Sequence, residues 1–384
     1  MIKIELLQDI RQVESATWNG LLTSDYPFLN HHFLSALEHS GCVGAATGWH
    51  PIHLMLVDED DDQERKLLGV MPLYLKTHSY GEYVFDWSWA DAYHQQGMEY
   101  YPKLLNAIPF TPATGPRFAT QLDEQQFMGL LSQAIPALCE QLEASSWHSL
   151  FVPKTTQQLA HPKQLATRTD CQYHWFNRDF KHFDDFLATC MSRKRKNIKK
   201  ERAKVSQQGV SLRRFSGAEL TAEHIETFYP FYQNTYQVRG QKGYLNLAFF
   251  QQLVAKMADQ MVLFLAYCDD KPVAGALCFK DSQTLYGRYW GCLEDFDALH
   301  FETCYYQGIE YCIEHGLQRF DPGAQGEHKI SRGFEPSFTH SLHFMRHPGM
   351  HEAVHNFVNE EAALVRANAA TLAEGLPFKR EANE

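Results

Sequence analysis

The sequence predicts an α/β (α+β) protein of two related domains in tandem, each a mixed sheet flanked by helices. Three observations carry that expectation: the length, an internal resemblance between two stretches, and the order of strand-like and helix-like segments. A chain of 384 residues suits two domains of roughly 150–200 residues. Its 44% hydrophobic and 13% aromatic residues are enough for sizeable cores. The two similar stretches begin near Leu54 and Val262, and each runs strand, acidic turn, strand, turn, strand. Gly69 and Gly81 in one, and Gly275 and Gly287 in the other, are twelve residues apart.

In the first copy, β-branched and aromatic runs from Leu54, from Leu67 and over Gly81–Trp87 read as three hairpin-linked strands. A helix near Asp123–Leu142 follows, then a strand over His148–Val152 ended by Pro153. Next come a helix from Phe183 to Thr189 and a second over Ser192–Gln208, along which Met191, Ile198 and Val205 recur at seven-residue intervals. The segment after Val210 reads as a strand. The second copy has three strands from Val262 to Cys292, a helix near His300–His315 stopped by Gly316, and a short strand Leu317–Phe320 before Asp321-Pro322. Beyond Pro348-Gly349, Val354, Phe357, Val358, Ala362, Val365, Ala369 and Leu372 form one apolar face of a terminal helix. The expected domains are 1–180 and 181–384, the second opening with a basic helix (about 191–208) and closing with an amphipathic one (about 350–374).

Several classes are disfavoured. The amino terminus interleaves charges with apolar residues, unlike a signal peptide, and no apolar run approaches the roughly 18 residues of a membrane span. Nine cysteines, scattered and never in a Cys-x-x-Cys pair, read as reduced core thiols. The expected location is the cytoplasm. A net charge of −11 argues against a general nucleic-acid coat while leaving room for one basic patch.

Three stretches carry a family resemblance: Ser192-Arg-Lys-Arg-Lys-Asn-Ile-Lys-Lys200, Gly287-Arg-Tyr-Trp-Gly-Cys through His300-Phe-Glu-Thr-Cys-Tyr-Tyr, and Asp321-Pro-Gly-Ala-Gln-Gly-Glu-His-Lys-Ile-Ser-Arg-Gly-Phe334. Together they resemble the bacterial peptidoglycan biosynthesis/recognition family. Its relatives are the Fem-type ligases, which have two GNAT-like domains and move amino acids from aminoacyl-tRNA to a cell-wall precursor. The resemblance implies tandem GNAT-like acyltransferase domains and transfer of an acyl or aminoacyl group to an amine, on a small molecule or cell-wall precursor. The donor would be aminoacyl-tRNA or an acyl-CoA or acyl-carrier thioester. The long coiled-coil hairpin of the Fem pattern is not evident here. The loop Gly291–His300 has three acids and no second glycine, which disfavours CoA in the pose usual for GNAT folds.

Acyl transfer to an amine needs a base, donors facing an oxyanion and a proton for the leaving group. The search centres on the splay after the strand ending near Cys292. His300, Glu302 and Asp321 fall at element ends bordering it, and each is a candidate to take the amine's proton, the two carboxylates being preferred. The plainer reading is helix-dipole and turn chemistry. In Gly323–Phe334, glycines precede Lys329 and Arg332, three apart on one face, an anion-binding layout that also takes in Gln325 and His328. Arg288 and Tyr289 follow Gly287 on the neighbouring strand. Eight basic residues crowd Arg193–Lys204, with Glu201 the one acid among them. Lys194, Arg195 and Asn197 there would face a polyanionic substrate or tRNA, unless the helix face is simply solvated. In the first half, Asp86, Asp91 and Arg117 are polar residues beside apolar runs. Trp87, Trp89, Tyr93, Tyr289 and Trp290 are read mostly as core, the alternative being a pocket wall for sugar or peptide. His351-Glu-Ala-Val-His355 has the zinc-protease form, but no third ligand follows, so no metal site is assigned. The competing function is a binding protein for a polyanionic or cell-wall-related ligand that keeps the cleft without chemistry.

Overall fold

A computed structural model describes residues 2–59, 65–160, 164–324 and 326–379. The chain divides into two compact units, Met1–Asp170 with Phe338–Arg366, and Cys171–Ser337 with Ala367–Glu384. The cut falls at 170 against the expected 180, and 338–366 is assigned to the first unit.

In the first unit, Ile2–Leu7, His53–Glu59, Arg65–Met71 and Ala119–Thr120 form an antiparallel sheet. Lys103–Asn106 pairs in parallel with Ser146–Val152 through three residues. The helix Glu124–Gln141 lies between them in sequence and buries Phe127, Leu131 and Ile135 beside Trp147. Gly81–Trp87, expected as a strand, is instead a turn leading into the helix Trp87–Gln95. Gly81 and Tyr83 have φ of 83° and 63°, which no strand accommodates. Asp86 turns inward to a buried network in which the Lys103 ammonium bonds Asp86 and, at 2.8 Å, Glu82. Tyr100 donates to Asp86 at 2.6 Å, and His148 and His343 meet Nδ1 to Nδ1 at 2.8 Å.

The second unit is built from β1 (Ala166–Phe176, entering from the first unit), α1 (Phe183–Thr189), α2 (Ser192–Gln207), β2 (Val210–Ser216), α3 (Ala222–Gln237), α4 (Leu247–Met257), β3 (Met261–Cys268), β4 (Lys271–Lys280), β5 (Thr284–Cys292), α5 (Gln307–Glu314) and β6 (Arg319–Asp321). The sheet order is β2-β3-β4-β5-β6-β1. The strands β2 to β5 are antiparallel, and β6 runs parallel to β5. Ile198 and Val205 are the buried residues of α2, as their spacing predicts, whereas Met191 precedes the helix and is exposed. The helix expected over His300–His315 has a π-helical turn, Glu302–Tyr306, between Leu299–Phe301 and α5. The terminal helix spans Pro348–Ala373, and its Phe357 is exposed rather than part of the apolar face.

Two features shape the splay. The parallel pairing of β5 with β6 lasts three residues, from Thr284 opposite Arg319 to Tyr286 opposite Asp321. From there β5 continues to Cys292 while β6 ends, so the two strands part. A β-bulge against β4 makes Arg288 the extra residue, with Gly287 opposite Cys278 and Tyr289 opposite Leu277. Bulges of this kind re-aim a side chain. A Cβ on Gly291 would lie 1.8 Å from the Phe231 carbonyl oxygen, so only glycine lets α3 lie this close to β5.

Candidate active site

At the base of the splay, the bulge directs Arg288 onto Asp321. The guanidinium donates to both carboxylate oxygens, at 3.2 and 2.6 Å, and the Gly323 amide adds a third bond at 2.9 Å. Asp321 is 1% exposed. Arg288, with His174 3.7 Å away, holds its carboxyl far below the usual range against the opposing effect of burial. A carboxylate held this way is a poor proton acceptor, and in this arrangement it holds Arg288 and the Gly323 turn. Lys329 is buried beside this pair and donates to the Gly323 carbonyl at 2.6 Å. Burial draws its ammonium down to about 8 while Asp321 resists.

Glu302 is also committed. It is buried in the π-helical turn, takes bonds from Arg202 at 3.0–3.2 Å on both oxygens, and takes another from Gln307 at 2.8 Å. Oε1 takes three of these bonds and Oε2 one. Arg202 reaches on to Glu310 at 2.9 Å.

His300 differs from both. It is half-buried among the rings of Trp290, Phe301 and Tyr305, and among the described residues its imidazole has no hydrogen-bond partner. Burial, aided by the charges of His328, Lys329 and Arg332, draws it down to about 4, so at neutral pH the ring is uncharged, with a lone pair to offer but less basic than a free imidazole. His328 bonds the Tyr305 hydroxyl at 2.8 Å, its ring centre 6.1 Å from that of His300. Arg332 packs on the Phe301 ring and is paired with Glu201 at 2.7 Å. The structure thus brings His300, His328, Lys329 and Arg332 together. Thr235 and Asn234 of α3 donate to the carbonyls of Trp290 and Cys292 at 2.7 Å. By strand alternation the amides of those two residues lie on the same edge of β5, which β6 has left.

The other sequence candidates are placed as follows. Tyr289 packs among Tyr232, Phe250 and Phe279, a core position. Gln325 lies outside the described residues. On α2, Lys194 and Arg195 are half-buried and Asn197 is exposed. Lys199, Arg202 and Lys204 do pair with acids, namely Asp184, Glu302 with Glu310, and Asp297. Arg193, Lys194, Arg195, Lys196 and Lys200 have no ion pair among the described residues. Asn197 stands one turn before Glu201, so the stripe holding Asn197 leads toward Arg332.

Arg117 is turned into the fold. It is 1% exposed and gives its guanidinium hydrogens to the carbonyls of Leu150, Ala113, Gly115 and Pro116 and to the Tyr26 hydroxyl. The parallel strands of the first unit part after Asn106 opposite Ser149, but chain fills the gap. The Gly115 amide bonds the Phe151 carbonyl at 3.2 Å, and a Cβ on Gly115 would lie 2.3 Å from the Tyr26 ring. His351 accepts the Met345 amide, and no metal-holding group of three His, Cys, Asp or Glu occurs among the described residues. Sequence reasoning missed His174, Tyr305 and Arg202, whose roles depend on partners 23 to 147 residues away.

The profile of a family described as FemAB-like, peptidoglycan biosynthesis/recognition, matches residues 9–380. The chain belongs to this family. No curated protein matches it. Among solved structures, FemX is similar at 11% identity and a TM-score of 0.53, over 87% of this chain and 96% of its own. A conserved protein of unknown function from Bacteroides thetaiotaomicron VPI-5482 is similar at 10% identity and a TM-score of 0.51, over 89% and 99%. At such identities the likeness is one of fold. It bears out the mixed α/β class expected of this FemAB-like chain, and the chemistry is read from its own side chains. No helix among the described residues is long and apolar enough to cross a membrane.

Proposed function

We propose that the second unit transfers an aminoacyl or acyl group to an amine, with His300 as the base. The observation that carries this reading is the imidazole itself. It is half-buried, without a hydrogen-bond partner among the described residues, and its ring centre lies 5.3 Å from that of Trp290 on β5. The amine lone pair adds to the donor carbonyl, a C–N bond forms, and His300 takes the proton from nitrogen. The amides of Trp290 and Cys292 and the charge of Lys329 are the groups available to the oxyanion. The carbonyl then re-forms, the C–O bond of an ester donor breaks, and the departing oxygen takes a proton from His300 or through the His328–Tyr305 pair.

Family membership supports a cell-wall precursor as acceptor. The five basic residues of α2 without ion pairs support a donor rich in phosphate, so aminoacyl-tRNA is preferred. The acidic loop Gly291–His300 disfavours acyl-CoA. A chain with nine cysteines, none paired in a disulfide, suits the reducing cytoplasm. A binding role without chemistry is favoured by one observation, that Glu302 and Asp321 are both engaged in ion pairs.

Parallel assays with radiolabelled aminoacyl-tRNA and acyl-CoA test the proposal. His300→Ala should lower kcat by about 10²–10⁴-fold with a small change in KM. An unchanged kcat removes His300 as base, and failure with every donor leaves the binding role.

A further inference from the structure

Away from the splay, the second unit has a cavity of about 420 Å³ between α1, α2 and α5, within the range of roughly 300–1,000 Å³ usual for small-molecule sites. Phe183, Leu187 and Ile313 give it an apolar wall, and charges of both signs surround that wall. Most of these charges are already paired. Lys199 meets Asp184 at 3.2 Å, and Glu314 meets Arg214 at 2.6 Å. Arg202 lies 4.5 Å from the centre of the Phe183 ring and bridges Glu302 and Glu310, which fixes that ring in place.

Capacity remains on both signs, and among the carboxylates the Asp184 and Glu314 side chains stand 79% and 45% exposed against 31% for Glu310. Lys181 lines the cavity, is exposed, and has no ion pair among the described residues. Glu310 takes bonds from Arg202 alone, at 2.9 and 3.4 Å, and a carboxylate can accept about four. A simple anion would meet Asp184, Glu310 and Glu314, and a simple cation would meet Lys181, Lys199 and Arg202. A molecule with one charge of each sign and a small apolar body meets neither conflict.

We propose that this cavity binds a free α-amino acid with an aliphatic side chain. Its carboxylate pairs with Lys181, its ammonium with Glu310, and its side chain lies on Phe183, Leu187 and Ile313. The inference does not rest on the reaction proposed for the splay, because none of these residues is assigned a step there.

Titration calorimetry on the full chain tests it with three probes of one shape: L-leucine, 3-methylbutylamine, which lacks the carboxylate, and 4-methylpentanoate, which lacks the ammonium. Leucine should bind at least about tenfold more tightly than either analogue. Lys181→Ala, at an exposed position, should weaken leucine by at least about tenfold while leaving the thermal midpoint unchanged. Glu310→Gln should do the same to affinity, and the surface variant guards against a folding defect there. Absence of leucine binding, equal binding of the three probes, or full affinity in Lys181→Ala would overturn the proposal.

Discussion

The buried histidines make the protein's stability depend on pH in a fixed direction. His148 is drawn down to about 3 and His174 to about 4, both chiefly by burial, against about 6.5 in an unfolded chain. The unfolded state therefore binds more protons between those values. This part of the stability is complete above about pH 6.5 and is lost as pH falls toward 4 and then 3, at about 1.4 kcal/mol per pH unit for each ring. His148→Asn should flatten the acid limb of a urea-unfolding series, and an unchanged slope would show that the ring is not a buried neutral base. Asp321 is a second case at this scale. Asp321→Asn leaves Arg288 buried without its counter-charge and should cost about 3–5 kcal/mol, measured by equilibrium denaturation. His300 was legible as a candidate because it follows an acidic loop at a helix start. The engagement of Glu302 and Asp321 was not legible, because their partners stand 100 and 33 residues away in sequence.

At the scale of elements, two close approaches set the geometry of the splay. Gly291 admits α3 against β5, and a Cβ on Gly308 would lie 2.3 Å from the Phe320 ring. Gly291→Ala has backbone in its way, so it should disturb the hold of Asn234 and Thr235 on β5 and lower activity more than Gly308→Ala, where a ring can turn. Comparing kcat in the two variants at matched folded fraction checks this. The strands of the second unit could be read from their apolar runs and turns, and α2 from Ile198 and Val205. Gly81–Trp87 could not. Its Tyr, Val, Phe and Trp favour strands, yet the left-handed turn at Gly81 and Tyr83 and the pull of Lys103 on Asp86 override that preference. The bulge at Arg288 was equally hidden, since a single extra residue leaves no mark on the apolar pattern.

At the scale of the molecule, the two units differ in what lies beyond their parallel strand pairs. In the first, Arg117 and Tyr26 occupy the gap between the parting strands, whereas in the second β5 runs on past the end of β6. The account therefore assigns the chemistry to one unit. A single-turnover assay tests that assignment most directly, following transfer of a labelled amino acid from aminoacyl-tRNA to an amine-bearing cell-wall precursor in wild type, His300→Ala and Arg117→Ala. The account predicts that His300→Ala slows the transfer step by about 10²–10⁴-fold, while Arg117→Ala, compared at equal folded fraction, retains it. Transfer that survives in His300→Ala and disappears in folded Arg117→Ala would place the reaction in the first unit and contradict the account.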